Sequence, residues 1–192
     1  MTDLDGWLQA VVSTPGLTAA ASVEEARRIL LDDSLRGLDV VSAYAGSIVD
    51  VGSGGGAPGI PLAASLPDRE VTLLEANGRK CDFLRRWAPP NAGVVNGRAE
   101  EQEIETHGVA VAKALAPPQV AAEWCLPLVA DGGAVVLWVG PSADRAHVSR
   151  VAAQLAGEVV DAPPGLLVIE KRGSTPAGFP RRPGAARKRP LP

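Results

Sequence analysis

In the segment Ile48-Val49-Asp50-Val51-Gly52-Ser53-Gly54-Gly55-Gly56-Ala57-Pro58-Gly59, a short β-branched run passes directly into glycines and then toward prolines, and few folds accommodate that succession. β-Branched residues favour a strand, and glycines allow a sharp turn and close approach of backbone to a ligand. Proline is tolerated in the first turn of a helix. A strand, a tight turn and a helix start in immediate succession present unpaired N–H groups to whatever binds there, and a nucleotide-like ligand suits that place.

The rhythm of the rest of the chain supports this reading. Residues 1 to 46 read as a helical extension: Leu4, Leu8, Val11 and Val12 share one helical face, Thr14-Pro15-Gly16 interrupts it, and Ser22 with Glu25 three residues on has capping-box spacing. From residue 47, apolar runs at 48–51, 71–74, 94–95, 109–112, 134–139 and 166–169 alternate with helix-length stretches at 60–65, 79–87, 118–128 and 143–155. That alternation predicts a Rossmann-like α/β domain over 47–172, a mostly parallel sheet covered by helices on both faces. Residues 173–192 form a Pro/Gly/Arg-rich basic tail.

The second run ends at Glu75, which a parallel sheet would set at the carboxyl edge beside the first strand, placed to accept from two ribose hydroxyls. Asn96-Gly97-Arg98-Ala99-Glu100 follows the third run, where the backbone of Ala99 and the side chain of Glu100 can close over an adenine ring; a plain surface turn is the alternative. Gly52, Gly54 and Ala57 also satisfy the dinucleotide fingerprint. Three features favour S-adenosylmethionine instead. Asp50 stands where a dinucleotide strand is usually apolar, Pro58 and Pro61 delay the helix, and no second domain is left to hold a hydride acceptor.

Length and composition set the outer bounds. The chain has 192 residues, 46% hydrophobic, enough for one compact core. It shows no apolar run of about 20 residues and no secretory leader, so a soluble, cytoplasmic protein without membrane contact is expected. Cys81 and Cys125 lack metal-ligand spacing, and neither a metal nor a disulfide framework is expected. The net charge of −3 conceals an asymmetry, because seven of the 19 basic residues lie from Lys171 onward and all 22 acidic residues lie before it. Such a cationic end either contacts nucleic-acid phosphate or is a solvated terminus.

With these residues in place, the chain resembles the bacterial 16S rRNA guanine-N7 methyltransferases, the small-subunit methyltransferase G (RsmG/GidB) family. The similarity runs in order through LTAAASVEEARRILLDDSL at 17–35, DVGSGGGAPGIPLA at 50–63, VTLLEANGRKCDFL at 71–84, GRAEE at 97–101 and LLVIEKRGSTPAGFPRRPGAARKRPL at 166–191. The resemblance implies cofactor contacts at Gly52, Ala57, Ala99, Glu100 and Lys113, to which the glycine loop and its partners add Asp50, Ser53, Gly54 and Glu75. It further implies that the tail folds near the RNA entrance, with Arg181, Arg182, Arg187, Lys188 and Arg189 on phosphates of 16S rRNA or the small ribosomal subunit.

Four positions depart from the family pattern: Gly16 where Asn is usual, Leu30 within an unmatched Arg-His segment, Lys113 for Arg, and Val139 for Lys. A weakened cofactor- or RNA-binding member, or a small-molecule methyltransferase, therefore stays open as an alternative. Guanine N7 carries its own in-plane lone pair, so the transfer requires orientation and no general base, and Lys113 is the residue expected to orient. His107, His147 and the four tryptophans are expected to be structural, with Trp87, Trp124 and Trp138 in the core.

Overall fold

The computed structural model describes residues 2–192. Helix α1 spans Leu4–Ser13, with Asp3 accepting from the Gly6 N–H at its start. Helix α2 (Val23–Ala26) runs through a π turn, Arg27–Asp32, into α3 (Asp33–Leu35), and α4 covers Leu38–Ser42. The capping expectation holds, since Ser22 accepts from the Glu25 N–H and the Glu25 carboxylate accepts from the Ala21 N–H.

Strand β1 (Ile48–Val51), α5 (Gly59–Ser65), β2 (Val71–Glu75), α6 (Gly78–Trp87), β3 (Ala92–Asn96) and β4 (His107–Lys113) follow. Helix α7 (Pro118–Cys125), β5 (Val129–Trp138), α8 (Arg145–Ala153), β6 (Gly157–Val160), β7 (Leu166–Lys171) and α9 (Ala185–Lys188) complete the chain. The strands lie in the order β3-β2-β1-β4-β5-β7-β6. The first five are parallel, and β7 runs antiparallel to both β5 and β6.

Both faces of the sheet are buried, which is why β1 reads as continuously apolar apart from Asp50. One face packs Ile48, Leu73 and Val109 against α1, α5 and α6, with Trp7, Leu8, Ile60 and Leu84 at the contact. The other packs Val49, Leu74 and Ala110 against α7 and α8 through Ala122, Val148 and Val151.

Two elements differ from expectation. The helix expected over 118–128 is α-helical only to Cys125 and continues as a 3-10 turn through Leu126–Leu128, where Pro127 has no N–H for the α pattern. Strand β6 has no clear signal of its own, being three half-buried residues and the exposed Glu158, whose state is set by pairing with β7. The tail lies on the same body: Phe179 and Leu191 pack against the α7–α8 core, and Ala186 is buried.

Candidate functional site

The carboxyl ends of β1, β2 and β4 share one edge of the sheet, because Val51 aligns with Leu74 and Asp50 aligns with both Leu73 and Val111. The chain runs outward from β1 through β2 to β3 and then returns to β4 on the other side of β1, and that reversal opens a crevice. It holds a cavity of about 480 Å³, within the range of small-molecule and cofactor sites.

The glycine loop forms the floor. Gly52 and Ser53 donate to the Leu74 carbonyl at 2.8 and 3.1 Å, which ties the turn to β2. Gly54 adopts a φ of +55°, a left-handed conformation that glycine takes without penalty, and its N–H reaches Glu75 Oε2 at 2.9 Å. Glu75 Oε1 accepts from the Asn77 N–H at 2.8 Å. The carboxylate is thus fixed by two backbone donors, lines the cavity, and keeps further lone pairs for a ligand diol.

Asp50 has a different task from the one expected. It is fully buried, does not line the cavity, and accepts from the Gly59 N–H through Oδ2 at 3.0 Å. A Cβ at Gly59 would come within 2.6 Å of that oxygen, so only glycine lets the helix start approach the carboxyl group. Burial pushes the Asp50 carboxyl up to about 7, against the Gly59 hydrogen bond and with the help of the Glu75 charge. This contact also speaks against the dinucleotide reading. The N-terminus of α5, where a dinucleotide would place its pyrophosphate, faces a carboxyl group of the protein itself.

Ser53, Ala57, Ala99, Glu100 and Lys113 all line the cavity with Gly52, Gly54 and Glu75. The Ser53 hydroxyl donates to the Asp50 carbonyl at 2.9 Å and is thus committed within the loop. Lys113, at the end of β4, lies 2.6 Å from Asp33 Oδ2 and donates to the Ile29 carbonyl of the π turn. Burial raises the Asp33 carboxyl, but Lys113 and Arg36 outweigh it and hold the group below the usual carboxylate range. The N-terminal extension therefore supplies a wall of the site, with Leu17 and Leu30 lining the cavity.

Several participants carry no motif and were missed by sequence reasoning. Trp7 is fully buried, and its indole N–H donates to the Gly55 carbonyl at 2.8 Å, latching α1 onto the glycine loop. Trp124 packs against the α7–α8 core as expected, and its half-buried side chain also forms part of the cavity wall. Trp138 is buried and donates to the Asp33 carbonyl at 2.7 Å, while Trp87 packs on Phe83 with ring centroids 6.5 Å apart. His107 bonds Ser47 at the far end of β4, and burial lowers its pKa. His147 meets the Leu191 carbonyl at 2.8 Å and so holds the tail.

The basic end divides by role. Lys171 is fully buried and donates to the Leu126 and Leu155 carbonyls and to the Thr175 hydroxyl. Arg172 pairs with Glu158 and Glu170. Arg181, expected on phosphate, instead forks onto both carboxylate oxygens of buried Glu123. Arg182, Arg187, Lys188 and Arg189 are exposed and have no ion-pair partner among the described residues. Among those residues no three His, Cys, Asp or Glu side chains converge on a metal position, and no helix is long and apolar enough to cross a membrane.

Sheet order, glycine loop and the carboxylate lining the cavity beside it together define an S-adenosylmethionine-dependent methyltransferase of the Rossmann-like class. The chain belongs to the rRNA small subunit methyltransferase G (GidB) family, whose model matches residues 4–162. It is 38% identical over 172 residues to the Ribosomal RNA small subunit methyltransferase G of Rubrobacter xylanophilus, covering 77% of this chain and 66% of that protein. The Synechococcus elongatus protein of the same name is 35% identical over 182 residues, covering 83% and 75%. Among solved structures, the fold is similar to T. thermophilus RsmC in complex with AdoMet and guanosine, at 17% identity and a TM-score of 0.56, covering 76% of this chain and 40% of that one. It is also similar to a predicted O-methyltransferase from Agrobacterium tumefaciens, at 22% identity and a TM-score of 0.59, covering 74% and 81%.

Proposed function

We propose that this protein methylates N7 of a guanine in 16S ribosomal RNA, as free RNA or within the small subunit, and that it does so in the cytoplasm. The observation that carries this reading is the meeting, at one cleft, of the Glu75-anchored glycine loop and a tail bearing cations without acidic partners. S-Adenosylmethionine, when bound, supplies an electrophilic methyl group on sulfonium. Glu75, which lines the cavity, would accept from its ribose hydroxyls, and the turn at Ala99 and Glu100 would border its base.

Lys113, braced by Asp33, stands at the end of β4 where the acceptor enters. A second groove shares Leu17, Leu30, Lys113 and Ala114 with the cavity, giving a nucleotide a route to it. No proton need leave N7 before attack, so the protein's work is to hold the ring in line at roughly 3 Å and to exclude water. Arg182, Lys188 and Arg189 neutralise phosphates on the rim.

Tritium transfer from labelled cofactor to undermethylated small subunits, compared with naked RNA, tests the proposal. Label must appear in 7-methylguanine at one position. Cofactor binding without any incorporation would assign the chain to a degenerate binding role.

A further inference from the structure

Arg187 sits at the cofactor cavity, although its neighbours in sequence point outward as an RNA-binding tail. It is the one tail residue that lines the cavity, in company with Ala99, Glu100 and Trp124. Its position is fixed from both sides. Upstream, Arg181 grips Glu123 of α7 through bonds of 2.5 and 2.6 Å, and the Gly184 N–H donates to Glu100 Oε1 at 2.9 Å. Downstream, the Leu191 carbonyl meets His147 of α8. Between these anchors Ala186 is buried, so the turn carrying Arg187 is packed down as a wall.

Strand order shows which end of the cofactor that wall meets. A ribose held by Glu75 lies over the end of β2, and β3 is the next strand outward. The base must then extend over the turn that follows β3, at Ala99 and Glu100, and Gly184 is bonded to that same turn. The guanidinium of Arg187 has no carboxylate partner among the described residues and is free to offer its planar face.

We propose that Arg187 is a cofactor-binding residue whose guanidinium stacks on the adenine ring, so that the C-terminal tail completes the S-adenosylmethionine site. The inference rests on reading the cleft as the cofactor site. It separates Arg187 from Arg182, Lys188 and Arg189, which serve RNA alone. It also makes cofactor affinity depend on the Glu123 and Glu100 anchors that hold the tail down.

Calorimetric titration of the full-length protein with S-adenosylhomocysteine and with adenosine tests this. Arg187→Ala is an exposed-site change that preserves the fold, and it is expected to weaken both ligands about tenfold. Arg187→Lys keeps the charge and loses the flat face, so it is expected to behave like the alanine variant, while Arg150→Ala on α8 leaves both affinities unchanged. Wild-type affinity in Arg187→Ala, or full recovery in Arg187→Lys, overturns the stacking assignment. Failure of the wild-type protein to bind S-adenosylhomocysteine would instead overturn the reading of the cleft.

Discussion

The guanidinium of Arg181 meets both carboxylate oxygens of Glu123, and the acid is only 4% exposed on the inner side of α7. A residue that looks like one more tail cation is thus the counterion of a buried acid, and the tail is bound to the body through it. Arg181→Ala leaves that carboxylate without its partner and should cost about 3 kcal/mol. Urea unfolding should show the loss, and limited proteolysis should cut the tail sooner. Replacing both residues by leucine should recover most of the stability, and a double variant as unstable as the single would show that the pair is not the cause.

Trp7→Phe removes the donor to Gly55 and leaves a carbonyl of the glycine loop unpaired while keeping the buried ring. The expected cost is about 1–2 kcal/mol in the thermal or urea transition. Affinity for S-adenosylhomocysteine should fall with it, because the loop loses its brace. An unchanged affinity would mean the latch stabilises the fold without shaping the site.

Asp50 gives the protein a stability that falls as pH rises. Its carboxyl is raised to about 7 when folded and ionises near 3.8 when unfolded, so between those values the folded state holds a proton that the unfolded state has released. The penalty begins near pH 4 and is complete above pH 7, reaching at most about 4 kcal/mol. Asp50→Asn keeps an acceptor for Gly59 without a charge. It should flatten the decline and stabilise the protein most at pH 8, as read from unfolding at pH 5, 6.5 and 8.

Lys113→Met should release the Asp33 carboxyl from one of the two cations that hold it down, and its titration should move upward, measured by carbon-13 NMR of that side chain. The folded value in the parent protein is lowered, so this pair's stabilisation is present above the unfolded carboxylate range and is lost as pH falls through the folded value. The variant should lose less stability than the parent on acidification. Methyl transfer should slow through kcat, since the wall between Lys113 and the π turn loosens.

Arg182, Lys188 and Arg189 changed together to alanine should weaken RNA binding and reduce the salt slope by about 2, at roughly 0.7 per phosphate contact on single-stranded RNA. S-Adenosylhomocysteine affinity should stay as in the parent. Filter binding across a salt series gives the slope, and an unaltered slope would remove these cations from the RNA path.

The sheet and its ligand edge were legible from the local residue pattern. β-Branched runs at β1, β2, β4, β5 and β7 and the glycines after β1 are local signals, and hydrogen bonding along a buried parallel sheet leaves such runs little choice of state. Glu75 could be placed for the same reason, since its position follows from where one strand ends. What each polar side chain faces was settled by packing between distant elements. Asp50 turned onto α5, Trp7 onto Gly55, Arg181 onto Glu123 and Arg187 onto the cavity, through contacts that join residues nine to 58 positions apart or arise from packing of the tail. Periodicity along a chain records which face is buried, but the partner of a buried charge or donor is fixed only when distant elements pack, because the cost of leaving it unpaired arises only there.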